Sequence, residues 1–446
     1  MTQRERPSHA IAVIGGATAG SEVARKLADR GAEVTVFEMN PRPFGKIEDG
    51  LPRWHRALRE KEYASIVERL ASPNIHFVPS TKIGRDVAFD DLVERWGFSA
   101  VVLASGAWRD RPLPIQGADA YLDKGLIYQN PFIIAFNHAE EANFSGKRFP
   151  IEDGALVIGG GLASIDVAKL LMLETVKSRL EKRGIKVDLE EVERRGIPAT
   201  LEEHQLSLRD LDIKGCTLFY RRRAEDMPLM DAPEGSTPER VAKVEQSRKH
   251  ILNKAREKFC FNFEPLSLPE GLIVENGRLV GIKFRRAKLE GKSLVGTDEL
   301  FERRGAYVVS SIGSIPEQIP GVSMKGELLE LDQPGRRVFS AGNVVTGKGN
   351  IIASRKHATK VASELIERFL GLGDEGHEGE EKSHDAIAAI AAQEAHHIAS
   401  QALELPPIDD VSLARTRELV RRRQAQVGYR GDLSAWLASV EPKPAH

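Results

Sequence analysis

Three glycines close to the N-terminus, Gly15, Gly16 and Gly20, lie between an apolar run at Ala10–Ile14 and a segment of helical spacing. A strand that turns tightly into a helix presents backbone N–H groups and the helix N-terminus to a pyrophosphate. Glu38 follows 18 residues after Gly20, at the end of the next β-rich run, where a carboxylate can accept hydrogen bonds from ribose hydroxyls. The pattern predicts a site for the adenosine diphosphate part of a dinucleotide.

This first turn, VIGGATAG, departs from the usual G-x-G-x-x-G frame because Ala17 holds the place of the middle glycine. An ordinary strand-to-helix turn is therefore the alternative. The strand, the helix and Glu38 together favour nucleotide binding, and we include Ala17 and Ala19 among the predicted cofactor-binding residues.

A second glycine turn, VIGGGLAS, lies about 144 residues further along the chain. Its following strand ends in Phe-Tyr-Arg-Arg-Arg rather than in an acid, and arginine is the side chain that binds the 2′-phosphate of NADP. The alternative is that these arginines only form a solvated face. The predicted residues of this second site are Gly159, Gly161, Leu162, Ala163, Ser164, Arg221 and Arg222.

Length and composition restrict the class of protein. The 446 residues are too many for one core, and the formal net charge of -1 gives no reason to expect nucleic acid or an anionic membrane as partner. The two cysteines, Cys216 and Cys260, are too few to ligate an iron–sulfur cluster within the chain and too far apart for a CxxC motif. The polar N-terminal segment and the lack of a long apolar stretch predict a cytoplasmic protein without a membrane span, and no metal site is expected.

The repeated strand–turn–helix–strand signal predicts an α/β fold with two Rossmann-like dinucleotide-binding domains, each a three-layer ββα arrangement, and a helical C-terminal extension. The expected boundaries are 1–150 with 330–370 for the first domain, 151–329 with a helical insertion at 174–212 for the second, 371–381 for a linker and 382–446 for the helical extension. Because the motifs end before the linker, deletion from about Gly373 is expected to leave cofactor binding intact.

Three further segments carry a family resemblance. Tyr220–Pro228 (YRRRAEDMP) is similar to a segment of the glutamate synthase small subunit, Leu103–Gly117 resembles a crossover between two domains, and Val338–Ala358 resembles a late FAD motif. Over about residues 10–370 the chain thus resembles the pyridine nucleotide-linked flavoproteins that include the glutamate synthase small subunit and adrenodoxin reductase-type ferredoxin–NADP reductases.

The resemblance implies FAD in the first domain and NADPH in the second. It adds the following expected FAD-binding residues: Gly45, Lys46, Ser105, Gly106, Gly342, Asn343, Gly349, Asn350, Ile351 and Ile352. Asn343 replaces the usual aspartate after Gly342, so it can still form a hydrogen bond to a ribityl hydroxyl but carries no charge.

The resemblance also implies two catalytic residues. His55 and Asp166 fall on a histidine and an aspartate that lie near the nicotinamide and the flavin in the adrenodoxin reductase branch, where they are implicated in a proton path. The alternatives are that His55 caps a surface turn and that Asp166 anchors its own helix. Arg53 and Trp54 replace the Pro-Asp pair that precedes the branch histidine.

The implied function is an FAD-dependent NAD(P)H oxidoreductase that passes a hydride from NADPH to FAD and electrons to a ferredoxin-like acceptor. One alternative is an electron-input subunit of a larger complex, with the C-terminal helices as assembly surface. Another is a non-catalytic flavin-binding scaffold or sensor. A basic stretch in the second domain is expected to place several charges on one exposed docking face for an acidic acceptor, with a plain solvated face as the alternative. Its members are Lys243, Arg248, Lys249, Lys254, Arg256 and Lys258.

Overall fold

The computed structural model describes residues 7–232, 235–330, 337–342, 366–367, 370–372 and 392–443. The strands are β1 (Ala10–Ile14), β2 (Glu33–Phe37), β3 (Ile75–Val78), β4 (Ala100–Leu103), β5 (Arg109–Asp110), β6 (Leu126–Tyr128), β7 (Leu156–Gly159), β8 (Thr217–Phe219), β9 (Asn262–Glu264), β10 (Ser267–Glu275), β11 (Arg278–Glu290), β12 (Ser293–Arg304), β13 (Val308–Ser311), β14 (Ser314–Ile315), β15 (Met324–Lys325), β16 (Leu328–Leu329) and β17 (Val338–Ser340).

The helices are α1 (Thr18–Ala28), α2 (Lys46–Asp49), α3 (Arg56–Leu70), α4 (Phe89–Glu94), α5 (Gln129–His138), α6 (Leu162–Glu181), α7 (Leu189–Arg195), α8 (Ile197–Glu203), α9 (Pro238–Phe259), α10 (392–403), α11 (Asp410–Gln426) and α12 (Leu433–Ser439). Short 3-10 helices occur at Ala118–Tyr121 and Ala224–Asp226. None of the helices in the described ranges is long and apolar enough to cross a bilayer.

The first sheet is parallel, with strand order β17-β4-β1-β2-β3. Its central strand β1 is buried along its whole length, as expected for a parallel strand covered on both faces. Alternate residues divide between two cores: Ile11 and Val13 pack with α1 and α3, whereas Ala12 and Ile14 pack with α4 and residues 319–329. This alternation follows from the two-residue period of a strand.

The second sheet is also parallel, with strand order β6-β13-β7-β8-β9. An antiparallel β10-β11-β12 sheet covers one face, where Phe219 stacks on Phe284 with ring centroids 4.5 Å apart. Helices α6, α8 and α9 pack on the opposite face. The expected ββα layering is therefore present in this domain, whereas helices lie on both faces of the first sheet.

A short antiparallel ribbon joins the two sheets and changes the expected domain boundaries. β5 pairs with β14 in the register Ser314↔Asp110. β6 and α5, expected within the first domain, belong to the second sheet and its helical layer. Residues 319–329, expected in the second domain, pack in a core of the first. We therefore propose that the domain boundaries lie at the ribbon, where no glycine motif or linker composition marks them in the sequence.

The helix after the second glycine turn is longer than expected. The sequence predicts that an insertion begins at Glu174, but α6 continues to Glu181 because Thr175, Val176 and Leu180 extend its buried side. The inserted helices α7 and α8 begin only at Leu189.

The expected C-terminal extension is part of the first domain. Ala395, Ile398 and Ala399 of α10 are buried in the core that contains β1 and α1, and Leu413 of α11 is buried in the core on the other face. Arg417 forms an ion pair with Glu33 at 2.6 Å. Truncation from about Gly373 would expose both cores of the first sheet, so we now expect it to destabilise the first domain.

Substitutions at a buried and at an exposed residue of the C-terminal helices test whether these helices share the core of the first domain. Ile398 is 4% exposed and Val411 is 70% exposed. Ile398→Ala is expected to lower the free energy of unfolding by about 2–4 kcal/mol, as loss of a packed side chain does. Val411→Ala should change it by less than about 0.5 kcal/mol. Chemical denaturation measures both, and equally small effects would show that α10 does not share the core.

Candidate functional site at the carboxyl ends of two sheets

The first glycine turn brings the N-terminus of α1 against the end of β1. Gly15 has a φ of +103°, and its N–H donates to the Phe37 carbonyl at 2.7 Å. A Cβ on Gly20 would collide with the Gly15 carbonyl oxygen, so only glycine permits this approach. Ala17, at the N-cap, has no side-chain acceptor, so the N-cap residue does not cap the first-turn N–H groups of α1.

A cavity of about 500 Å³ opens at this edge of the sheet. The sequence-predicted residues that line it are Gly15, Ala17, Ala19, Glu38, Gly45, Lys46, Ser105, Gly106 and Gly342. Gly16 and Gly20 lie behind this lining and shape the turn. Asn343, Gly349, Asn350, Ile351 and Ile352 lie outside the described residues.

Glu38 is fixed at the end of β2. Its carboxylate accepts hydrogen bonds from the backbone N–H groups of Gly16 and Asn40, both at 2.9 Å. Burial raises its pKa to about 7 although these two hydrogen bonds oppose the shift. A buried acceptor of this kind is suited to ribose hydroxyls, which can donate to it without adding charge.

Lys46 connects the cavity with the ribbon between the sheets. Its ammonium donates to Ser314 Oγ at 3.0 Å and to Asn130 Oδ1 at 3.2 Å. Burial lowers the pKa of Lys46 to about 8 and raises that of Asp110, on the same ribbon, to about 6. The sequence motifs did not identify Asn130 or Ser314, since each is a single polar residue without a recognisable spacing.

Sequence reasoning also missed lining residues that lie outside the motifs: Thr81, Arg85, Trp108, Gln318 and Glu394. Trp108 lies within the segment that carries the crossover resemblance and could have been found there. Thr81 and Arg85 follow β3, and only the sheet order shows that this strand ends beside Glu38.

The second glycine turn begins α6. A Cβ on Gly159 would lie 2.7 Å from Ser164 Cβ, so this glycine serves close packing. A Cβ on Gly161 would meet no described atom within 4 Å, so this glycine faces open space at the helix N-terminus. Ser164 Oγ donates to the Gly161 carbonyl at 2.6 Å, while Leu162 and Ala163 form the first turn of α6.

The predicted arginines follow β8, next to this turn. Arg221 is exposed. Arg222 is half-buried and donates to the Lys292 carbonyl at 3.2 Å, so part of its hydrogen-bonding capacity is used within the domain. Arg223, the third arginine, is held by Asp226 at 2.9 Å.

His55 and Asp166 come together from different domains. His55 Nε2 lies 3.9 Å from Asp166 Oδ1, and both side chains are almost fully buried. This position contradicts the alternative that His55 caps a surface turn. Trp54 and Lys169 lie beside this pair. Trp54 precedes His55, and Lys169 is one helical turn after Asp166. The Lys169 ammonium lies 4.6 Å from the centroid of the Trp54 ring.

The basic stretch on α9 is only partly available for docking, because Lys243 and Lys249 are exposed whereas other members are held within the protein. Arg248 donates to the Met230 carbonyl at 2.8 Å, and Lys254 forms an ion pair with Glu367. Arg256 is only partly exposed. Arg248, Lys254 and Arg256 are held in this way because α9 packs in the second domain. The docking role of the whole stretch stays a prediction.

The two cysteines have no features of a redox-active pair. Both are free, and burial raises the pKa of Cys260 to about 11 and that of Cys216 still further. A thiolate is the reactive form of cysteine, so neither residue is prepared for disulfide exchange.

Known proteins match this architecture. Residues 10–205 match the family described as pyridine nucleotide-disulphide oxidoreductase. The glutamate synthase [NADPH] small chain of Bacillus subtilis is 34% identical over 182 residues, which cover 39% of this chain and 35% of that relative. The cindoxin reductase of Citrobacter braakii is 30% identical over 165 residues, 36% of this chain and 34% of the relative. The matches with these two relatives thus span about a third of their lengths.

Two other matches are longer and more distant. A probable mitochondrial NADPH:adrenodoxin oxidoreductase of Schizosaccharomyces pombe is 24% identical over 394 residues, 79% of this chain and 80% of the relative. The solved structure of Mycobacterium tuberculosis FprA in complex with NADPH has a TM-score of 0.58 and 20% identity, and the match covers 93% of this chain and all of that one. These findings confirm the predicted resemblance and the α/β fold with two Rossmann-type sheets.

The burial of the Glu38 carboxyl predicts how the stability of the ligand-free protein depends on pH. The folded state keeps its proton up to about pH 7, whereas a free glutamate loses it near 4.5. The folded state therefore binds more protons between these values, and the contribution of Glu38 to the free energy of unfolding falls as pH rises through that window. Glu38→Gln should remove this decrease in the free energy of unfolding, which is on the order of 3 kcal/mol at most. Denaturation of both proteins at pH 4.5 and pH 8 measures the difference, and identical pH dependences would contradict the burial effect.

Proposed function

We propose that this chain is an FAD-dependent NADPH oxidoreductase that transfers a hydride from NADPH to FAD and passes the electrons to a ferredoxin-like protein. One observation carries the proposal: two nucleotide-type turns lie at the carboxyl ends of two parallel sheets, and His55 of one domain contacts Asp166 of the other at 3.9 Å. Ligands of open α/β sheets bind at this edge.

The first cavity fits FAD by the chemistry of its donors and acceptors. The α1 N-terminus offers N–H groups to a pyrophosphate, and Glu38 offers acceptors to the adenosine ribose. Lys46 and Trp108 line the same cavity beyond the turn, with the ammonium 5.5 Å from the indole ring. A planar ring with polar edges would find both an aromatic surface and a cationic donor there.

The second turn fits NADPH. The open space beside Gly161 leaves room for a pyrophosphate at the N-terminus of α6, and the exposed Arg221 follows the strand where the 2′-phosphate would lie. When bound, NADPH supplies the hydride and FAD accepts it. The protein's part is to hold the two molecules together and exclude water.

His55 and Asp166 would handle a proton at the junction. The facing atoms of the two side chains lie 3.9 Å apart, so a small movement of either one would bring them to hydrogen-bond distance. Both side chains are almost fully buried, so a proton held by this pair would be shielded from bulk water. Cytoplasm remains the proposed compartment, in agreement with two free cysteines.

The proposal is tested by identifying the flavin and its acceptor. The purified protein should be yellow and release FAD, not FMN, on denaturation, and it should reduce a ferredoxin with NADPH under anaerobic conditions. A protein that stays colourless after incubation with FAD would overturn the proposal. A yellow protein that does not oxidise NADPH would instead be a flavin-binding scaffold.

An electron-input subunit is the second candidate function, favoured by the 34% identity with a glutamate synthase small chain. The C-terminal helices pack into the first domain, but exposed side chains such as Val411 remain on their outer face. Co-purification of a cluster-containing partner from the native source would favour this function over a free-standing reductase.

Alanine substitutions at Gly161 and Gly159 distinguish a glycine needed for nucleotide binding from a glycine needed for packing. Gly161→Ala adds a methyl group in open space, so the free energy of unfolding should change by less than about 1 kcal/mol. The same methyl would stand where the pyrophosphate approaches the helix, and NADP⁺ affinity should fall about tenfold or more. Gly159→Ala should instead destabilise the fold through contact with Ser164. Calorimetric titration and denaturation measure both, and unchanged NADP⁺ affinity in Gly161→Ala would place the nucleotide elsewhere.

Arg221 should determine the preference for NADPH. A charge-assisted hydrogen bond to a phosphate contributes roughly 1.5–3 kcal/mol, less where water screens it. Arg221→Ala is expected to raise the KM for NADPH about five- to tenfold and to leave that for NADH little changed. Arg223→Ala, which removes the neighbouring arginine held by Asp226, is the matched control. Equal losses for both nucleotides in Arg221→Ala would assign this arginine to structure.

A further inference from the structure

The C-terminal helix α10 reaches the first cavity at a point that no glycine motif covers. Glu394, in the first turn described for α10, lines the cavity together with Ala341 and Gly342. The N–H of Gly342 donates to Glu394 Oε1 at 3.0 Å. A residue some fifty positions beyond β17 is thus bonded to the end of that strand.

The packing of α10 holds this carboxylate in place. Ala395 and Ala399 are fully buried against the core of β1 and α1. On the outer side, Arg30 donates to His396 Nδ1 at 2.8 Å and to Ser400 Oγ at 3.0 Å. Glu394 therefore belongs to a helix fixed on both sides and not to a mobile end of the chain.

Sheet order determines which part of FAD would meet Glu394. Glu38 follows β2, the phosphate-binding turn follows β1, and Gly342 follows β17, which lies on the opposite side of β1 beyond β4. An FAD molecule with its adenosine at Glu38 and its pyrophosphate at α1 must run its other half toward β4 and β17. The segment of FAD that follows the pyrophosphate in that direction is the ribityl chain, which carries hydroxyl groups.

From this geometry we infer that Glu394 binds ribityl hydroxyls of FAD, so that the C-terminal helix completes the flavin site. The inference rests on the proposed function, which places FAD in this cavity. A carboxylate has about four acceptor positions, and the Gly342 N–H uses one of them. Asn343, next to Gly342, carries no charge, so Glu394 supplies the anionic acceptor at this strand end.

The test compares Glu394→Gln with the wild-type protein after removal of flavin. Glutamine keeps an acceptor for the Gly342 N–H but removes the charge, and loss of a charge-assisted hydrogen bond should weaken FAD binding about tenfold. Quenching of flavin fluorescence measures the Kd. Competition by ADP against FAD measures the adenosine half of the site alone, and its affinity should stay within about twofold of wild type.

Two further variants make the result specific. Glu404→Gln changes an exposed glutamate just beyond α10 and should leave both affinities unchanged. Glu38→Gln should weaken FAD and ADP together, because it acts on the adenosine half. Unchanged ADP competition in Glu394→Gln also shows that the variant is folded.

Three other outcomes would contradict either the inference about Glu394 or the proposed function. If Glu394→Gln binds FAD as tightly as wild type, Glu394 only caps the strand end and the inference is overturned. If it binds FAD more tightly, the carboxylate opposes the cofactor, which also overturns it. If the wild-type protein binds ADP but not FAD, the proposed function fails, and that result is distinct from either of these.

Discussion

The approach of α1 to the end of β1 is the constraint on which the first site depends. Because Gly20 has no side chain, the helix can rest on the Gly15 carbonyl and bring its N-terminus to the carboxyl edge of the sheet. At that edge Glu38 is held by the Gly16 N–H, and the end of β17 is held by Glu394. The second turn repeats the arrangement, with Gly159 packed against Ser164. Two small sets of glycines thus bring two helix N-termini to the carboxyl edges of the two sheets.

A buried ammonium organises the junction between these edges. Lys169 donates to Glu193 Oε1 at 2.5 Å and to the Leu370 carbonyl at 3.1 Å, and the rings of Trp54 and Phe259 cover its remaining sides. Buried charges require such pairing, because desolvation without compensation is costly. Trp54 precedes His55, and Asp166 precedes Lys169 by one helical turn. The Trp54–Lys169 contact therefore helps to fix the position of His55 against Asp166.

Local signals account for what the sequence predicted. Short motifs predicted the two turns, Glu38 and the arginines after β8. The family resemblance singled out His55 and Asp166, which are neighbours in the structure. The misses concern contacts between distant segments. No local pattern shows that Ile398 enters the core of β1 or that Glu394 reaches Gly342. The charge of Arg248 likewise suggested an exposed side chain. Its hydrogen bonds to the Met230 carbonyl depend on tertiary packing, which no local pattern shows.

Hydride transfer between the two sites is the central claim, and single-turnover flavin reduction tests it most directly. FAD-loaded protein is mixed anaerobically with NADPH, or with NADPH deuterated at the transferred position, while the absorbance of oxidised flavin is followed. The account predicts that the flavin is reduced in the absence of any acceptor and that deuterium slows this step. Flavin that stays oxidised while NADPH binds, or that is reduced only after a partner protein is added, would contradict it.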